Sequence, residues 1–357
     1  MKIQAVRTLL LVTIFVIVIM CIYFALIPES YYLSRHFKPK NLTQGFPVVK
    51  DASFSLSRWG AALTNSSSVS RKVSSDMKTS IQIARDIYHT HGVVLFTMVN
   101  DAFFPFAASW CCNTAPMNNV HHRALFLTTD QMTGQRLSHL WPNITVVTLN
   151  SSQYAGSQEY SKAGYVRMMV ERTRYILHLL EAGVRLLLFE VDCVWLSDPV
   201  PALLARHAEG DILATKVTDL DVTAGGFLLL NPTKATVKLW RHLTDKMDSL
   251  YRRLQNSQDA ADVSEADNDQ QYFTLLVRKK FAGVRVVHLP AELFPDGKWY
   301  KLPASERSSK PRPFLINNNW VVGEAAKMRR AKRFGHWFWN DEGKGSCNST
   351  AVDSLFY

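Results

Sequence analysis

An α/β fold with a mostly parallel central sheet is what this sequence predicts, and three observations carry the prediction. Apolar runs rich in Val, Leu and Phe recur at residues 93–99, 124–129, 144–149 and 186–189. Uninterrupted runs of this kind read as strands buried on both faces. A stretch of helical period lies between the third and fourth, with Val166, Met169, Val170, Ile176, Leu179 and Leu180 on one face and Gly183 placed to end it. Finally, the runs stop at polar or acidic residues: Asn100 and Asp101, Asp130, then Glu190 and Asp192. Ligands of open α/β sheets bind beyond such strand ends.

The chain has 357 residues, 47% of them hydrophobic, enough for one large α/β domain with appendages. Residues 9–27 are almost purely apolar, with Thr13 the one distinctly polar side chain, and their length suits one membrane-spanning helix. No small-residue cleavage pattern follows, and Lys2 and Arg7 precede the run. The expectation is an uncleaved signal anchor with a cytoplasmic N-terminus, a single-pass type II arrangement. Sequons at Asn41, Asn65, Asn143, Asn150 and Asn348 agree with a lumenal body. The organisation expected is a cytoplasmic tail over 1–8, the anchor over 9–27, a Ser-rich stem over 28–85, the globular domain over 86–345 and a C-terminal tail over 346–357. The net charge of +11 is dispersed along the chain, so no nucleic-acid partner is read from it.

Five cysteines are present. Cys21 falls in the anchor; Cys111, Cys112, Cys193 and Cys347 would face an oxidising lumen, where disulfides are permitted. Their pairing is open, except that neighbouring Cys111 and Cys112 would take different partners. The absence of CxxC and HExxH patterns argues against structural zinc.

Beyond the acidic strand end, residues 211–215, 226–230 and 284–289 read as further strands. Thr233 is a suitable N-cap for a long helix whose core face is Val237, Trp240, Leu243, Met247 and Leu250. Residues 294–297 are a turn signal and 327–333 a basic helix. Glu190 and Asp192 are the chemically informative pair. Hard divalent cations take oxygen ligands, and Mg2+ or Mn2+ commonly bridges carboxylates to substrate phosphates. Carboxylates at the end of an apolar strand are costly without a cation or donors beside them.

Several elements occur in one order: Glu190-Val-Asp-Cys-Val-Trp-Leu-Ser-Asp-Pro199, Ala224-Gly-Gly-Phe227, Asn268-Asp-Gln270, Leu293-Phe-Pro-Asp-Gly297, and Asn317-Asn-Asn-Trp-Val-Val-Gly323 with Lys327. The series resembles the nucleotide-diphospho-sugar transferase family of the glycosyltransferase family 77 type, over roughly residues 90–340. The resemblance implies a GT-A fold, with a Rossmann-like nucleotide half, and a metal-dependent, retaining transferase using UDP-sugars. It implies Mn2+ or Mg2+ held by Asp192, with Glu190 on the metal or the ribose and Asn317 at the position usually filled by His. It places Gly225, Gly226 and Asp269 near the donor sugar, Gln270 near the anomeric carbon, and Lys327 on the diphosphate. Asp269 and Gln270 are then the catalytic candidates. Thr97, Asn100 and Asp130 sit at strand ends where base and ribose would lie. Arg172 is a candidate phosphate contact, while Arg329, Arg330, Lys332 and Arg333 read as a solvated helix face.

The expected activity is sugar transfer from a nucleotide-diphosphate donor to a hydroxyl of a glycan or glycoprotein, in the Golgi lumen. Glu190 in place of Asp and Asn317 in place of His keep a rival open: a transferase fold that binds glycan or nucleotide without turnover. A phosphohydrolase using the same carboxylates would need more metal ligands than the sequence offers.

Overall fold

The computed structural model describes residues 77–149, 154, 156–217, 220–340 and 345–356. The expected anchor at 9–27 and most of the expected stem lie outside these residues. Among the described residues no helix is long and apolar enough to cross a membrane.

The architecture is α/β, as expected. In chain order the elements are α1 (Met77–His91), β1 (Val94–Val99), α2 (Phe104–Thr114), α3 (Val120–Arg123), β2 (Ala124–Thr128), α4 (Gln131–Leu140) and β3 (Thr145–Thr148). There follow α5 (Ala163–Glu181), β4 (Leu186–Phe189), β5 (Val194–Trp195), α6 (Val200–Arg206), β6 (Ile212–Lys216), β7 (Thr223–Leu230), α7 (Lys234–Leu254) and α8 (Asp269–Arg278). The last elements are β8 (Val286–His288), α9 (Ala304–Ser309), β9 (Leu315–Ile316), α10 (Glu324–Arg333), β10 (Trp339–Asn340), β11 (Ser346–Cys347) and α11 (Ser349–Phe356).

The seven-stranded sheet has the order β3-β2-β1-β4-β7-β6-β8. Strands β3, β2, β1 and β4 are parallel, β7 runs antiparallel to β4 and β6, and β8 is parallel to β6. The chain moves outward from β1 through β2 to β3, then returns to place β4 on the other side of β1. That reversal opens a crevice at the carboxyl ends of β1 and β4, the usual ligand position in such sheets.

Strand alternation sorts the core into two layers. Val94 and Phe96 of β1, Leu125 and Leu127 of β2, and Leu186 and Leu188 of β4 pack with α1, α5, α7 and α8. Leu95, Ala124, Phe126, Leu187 and Phe189 face the other way, against α2, α4 and α6. Both faces of the sheet are therefore covered, which is why its strands read as continuous apolar runs.

Helix ends follow their sequence signals. Thr233 caps α7 by accepting from the Thr236 N–H, and Trp240, Leu243, Met247 and Leu250 are buried beneath it. Asn268 caps α8 in the same way, through the Gln271 N–H. Gly183 takes a φ of +79° just past α5, the left-handed conformation glycine permits after a helix.

Two boundaries differ from the sequence expectation. Helix α1 begins at Met77, inside the stretch read as stem, and buries Ala84 and Ile87 in the core. Residues 346–356, read as a tail, form β11 and α11 instead. A Cys112–Cys347 disulfide ties them to α2, and Val352 is buried. Hydrophobic anchoring at Val352 carries too little sequence signal to separate a short docked helix from a tail. Cys111 and Cys193 are free and buried.

Candidate active site

The acidic end of β4 is built by its antiparallel neighbour. The register pairs Leu188 with Leu228 and Phe189 with Phe227, so the next step sets Glu190 against Gly226. A Cβ on Gly226 would lie 2.8 Å from Glu190 Oε1 and closer still to Cδ and Oε2. Glycine here makes room for a carboxylate; this requirement is steric, not conformational. Burial, and then the neighbouring Asp192 charge, push the Glu190 carboxyl above the ordinary carboxylate range.

The chain turns immediately after Glu190, with the Cys193 N–H donating to the Glu190 carbonyl. It then enters the β5–β9 ladder, in which Val194 faces Ile316. That ladder brings the segment starting at Asn317 alongside the one containing Asp192. Asp192 Oδ2 accepts a 2.7 Å hydrogen bond from Lys327 Nζ on α10, and the Asp192 side chain is 2% exposed. Burial alone would pull the Lys327 amine down, but the Asp192 and Glu190 carboxylates outweigh it and hold the ammonium form.

Among the described residues two oxygens in this corner have no hydrogen-bond partner. Asp192 Oδ1 and Asn317 Oδ1 are both buried without a hydrogen bond. Unsatisfied buried acceptors are costly, and they are what a hard cation satisfies. A carboxylate and an amide oxygen suit Mn2+ or Mg2+, and the donor set therefore fits the expected metal. Among the described residues no three His, Cys, Asp or Glu side chains converge, so a cation here would draw its other ligands from substrate phosphates and water, as Mg2+ usually does.

Asp269 and Gln270 open helix α8 beside β7. Arg172 of α5 donates to Asp269 Oδ2 at 2.6 Å, and its other terminal nitrogen lies 3.9 Å from Glu190 Oε1. The Arg172 side chain is buried, and its two carboxylate neighbours outweigh the cost of burial to raise its pKa. It therefore braces the acidic residues, where the sequence reading had it as a phosphate contact. Gln270 Oε1 accepts from the Gly225 N–H at 2.9 Å, which fixes the amide orientation because a backbone N–H can only donate.

The remaining candidates divide. Thr97 is buried on β1, and Thr129 Oγ1 and Asp130 Oδ2 are buried at the end of β2 without hydrogen-bond partners among the described residues. Asp130 Oδ1 caps α4 through the Thr133 N–H. Asn100 is committed to the protein: its Nδ2 donates to the Tyr154 and Gly156 carbonyls, and its Oδ1 accepts from the Phe103 N–H. Its amide thereby ties Tyr154 and Gly156 to the end of β1.

Two site residues escaped the sequence reading. Tyr165 is a partly buried residue of α5 whose phenol burial and the Asp269 charge keep protonated; nothing in its one-letter context marks it. Arg330, read as solvated, turns inward: Nε donates to Asn318 Oδ1 at 2.7 Å, and Nη2 to the Asn319 carbonyl at 2.5 Å. Its spacing of one helical turn from Lys327 was the available signal. Arg167, by contrast, closes the C-terminal end of α7 through the Leu254 and Ser257 carbonyls and pairs with Asp259.

Comparison with known proteins gives a consistent set of matches. A family model described as nucleotide-diphospho-sugar transferase matches residues 119–331, more than half of the chain. The UDP-D-xylose:L-fucose alpha-1,3-D-xylosyltransferase of Arabidopsis thaliana is 22% identical over 268 residues, 71% of either chain. The UDP-galactose:fucoside alpha-3-galactosyltransferase of Dictyostelium discoideum is 23% identical over 199 residues, 52% of this chain and 30% of that one. Among solved structures, the glycosyltransferase GlyE of Streptococcus pneumoniae TIGR4 superimposes with a TM-score of 0.43 at 13% identity, over 74% of this chain and 62% of that chain.

Proposed function

Since the chain belongs to the nucleotide-diphospho-sugar transferase family and is a glycosyltransferase, we propose that it moves a pentose or hexose from a UDP-sugar to a hydroxyl of a fucose-containing glycan, with retention of configuration. The observation that carries the site assignment is the pair of orphaned buried oxygens, Asp192 Oδ1 and Asn317 Oδ1, beside the Lys327 ammonium. The fucose acceptor rests on relatives that act on L-fucose or a fucoside.

In this reading Asp192 and Asn317 hold Mn2+ or Mg2+. When bound, the cation supplies Lewis-acid stabilisation of the departing diphosphate. Lys327 adds a positive charge on the same side, where negative charge builds as the sugar–phosphate bond breaks. Asp269, fixed by Arg172, accepts hydrogen bonds from donor-sugar hydroxyls. Gln270, with its oxygen occupied by the Gly225 N–H, presents its NH2 group to the sugar. Asp269 is engaged by a guanidinium and Gln270 is a neutral donor, so neither is an activated nucleophile. That favours front-face attack: the acceptor oxygen bonds the anomeric carbon as the diphosphate leaves, and the acceptor proton passes to a leaving phosphate oxygen.

The apolar segment 9–27 and the sequons support a type II protein of the Golgi membrane with its catalytic domain lumenal. The test uses the full chain in detergent, with UDP-sugars screened for Mn2+-dependent UDP release. Asp192→Asn and Asn317→Ala should each weaken Mn2+-dependent UDP binding, on the order of tenfold or more. Release from no donor, together with no Mn2+-dependent binding of UDP, would refute the proposal.

A further inference from the structure

We propose that Trp320 is the platform of an acceptor subsite, taking the apolar C–H face of a sugar. The inference rests on the function proposed above and extends it to a residue outside the donor machinery. Trp320 lies in the loop between Asn317 and Lys327. Trp320 is 39% exposed, and Val322, two residues on, is 66% exposed. An indole this accessible is usually a mobile surface side chain or a contact surface. Here it is held firmly. Its Nε1–H donates to Asp296 Oδ2 at 2.6 Å, and Lys298 Nζ sits 4.5 Å from the ring centroid. The residue also adopts a φ of +61°, a conformation that a bulky residue takes only when its surroundings impose it.

Those surroundings are a rigid clamp. The Asn317 N–H donates to the Pro295 carbonyl at 3.0 Å, and the Gly297 N–H to Asn319 Oδ1 at 2.7 Å. A Cβ on Gly297 would collide with the Asn319 carbonyl, so glycine permits the close approach. Arg330 secures Asn318 and Asn319 from the other side, and Asn318 Nδ2 reaches the Lys327 carbonyl at 3.2 Å. The segment that carries the exposed indole is thus fastened to the helix that carries Lys327.

Sugars match such a surface. One face of a pyranose presents C–H groups that stack on an aromatic ring, and its hydroxyls seek polar groups around the rim. Asp296 itself is buried and is spent on the indole Nε1–H and the Lys298 N–H. With Lys298 over one face of the indole, the sugar takes the other, and Val322 extends the apolar surface. Position also fits the chemistry. In front-face transfer the acceptor enters on the side from which the diphosphate leaves. Trp320 is hydrogen-bonded to Asp296, and Arg330, which fastens the same loop, interacts with the charges of both Asp296 and Asp192, so the indole sits on a loop that borders the residues assigned to that leaving group. A tightly held ring loses little freedom when it binds, which favours its use as a contact.

The test is saturation-transfer NMR on the full chain in detergent with UDP and Mn2+. Its probes are the methyl glycosides of L-fucose, D-xylose, D-galactose and L-arabinose, and UDP affinity is measured in parallel. The wild type should show transfer to the ring C–H protons of at least one glycoside. Trp320→Ala should weaken that glycoside at least tenfold with UDP affinity changed less than threefold, and Trp320→Phe should stay within threefold of wild type. Equal glycoside binding by wild type and Trp320→Ala overturns the proposal, as does no glycoside binding to a wild type that binds UDP. Joint loss of UDP and glycoside in a Trp320→Ala protein that melts like wild type also overturns it. Failure of the wild type to bind UDP would instead count against the function, and is read separately.

Discussion

Replacing Gly226 with alanine should leave the fold standing and disable the site. The new Cβ would lie 2.8 Å from Glu190 Oε1 and nearer to Oε2 and Cδ. Restoring ordinary van der Waals separation of about 3.5 Å requires a shift of roughly 1 Å. The backbone at Gly226 is not left-handed, so alanine adds no conformational strain. The flexible group is the Glu190 carboxylate, which moves away from its place beside Arg172 and Asp192. Overpacking of this kind costs about 1–3 kcal/mol of stability. A displacement of about 1 Å at a reacting centre costs on the order of 100-fold in rate. The expected result is a thermal midpoint a few degrees lower and a kcat/KM for UDP release reduced on the order of 100-fold. Shortening the acid removes the overlap, so Glu190→Asp with Gly226→Ala should recover much of the loss relative to Gly226→Ala alone. Gly225→Ala is the milder neighbour, because its Cβ would meet Gln270 Cβ at 3.2 Å. A folded Gly226→Ala protein with kcat/KM within threefold of wild type would refute the idea that the Glu190 position matters.

Two further predictions concern stability. Arg172→Met strands the Asp269 carboxylate, whose side chain is 12% exposed, and should destabilise by about 3–5 kcal/mol, with the Arg172→Met/Asp269→Leu double variant recovering part of it; strictly additive urea-unfolding energies would contradict this. Burial, with the His122 charge adding to it, lowers His121 to about 4, and burial, with the Arg307 charge, does the same for His336. Such histidines fold neutral, so the unfolded chain binds the extra protons: stability is complete above the ordinary value of 6.5 and declines as pH falls from there towards 4. Each contributes on the order of 3 kcal/mol across that window, and His121→Gln should flatten the decline seen in denaturant unfolding between pH 7 and pH 4.5.

What was legible in the sequence was whatever leaves a local pattern. The two-sided burial of β1, β2 and β4 leaves continuous apolar runs, and the caps Thr233 and Asn268 precede their helices as capping chemistry requires. Asp192, Glu190, Asp269, Gln270 and Lys327 stand in motifs that follow one another in a recognisable order, and the fold brings them around one strand end. The rest depends on long-range pairing. Arg172 lies 97 residues from Asp269 in sequence, so no spacing rule joins them. Asn100 and Asp130 end their strands in polar groups as expected, yet much of that polarity goes to the Tyr154 and Gly156 carbonyls and to the α4 cap. A strand-end polar residue can serve the ligand or the backbone with the same sequence signature. The docking of α11 depends on one disulfide and one buried valine, too little periodicity to read.

The two departures from the family pattern are each matched by something nearby. Glu190 is one methylene longer than Asp, and the space it needs is the space that the missing Gly226 side chain leaves. Under the proposed function Asn317 would offer the cation a neutral oxygen, which leaves the charge of the site unchanged. The charged groups are then Asp192, Glu190, Asp269 and Asp296 against Arg172, Lys327 and Arg330, a net of about one negative charge when all are ionised. A divalent cation alone would turn that positive, and a sugar diphosphate alone would make it strongly negative. Added together they nearly cancel, leaving the balance where it began. The Asp192 side chain is 2% exposed, and uncompensated charge beside so buried a carboxylate is expensive, so under the proposed function the residues would favour cation and diphosphate as a pair over either alone. Under the proposed function Lys327 would assist that pairing: its ammonium, bonded to Asp192 at 2.7 Å, is a positive charge of this corner that could turn to a diphosphate.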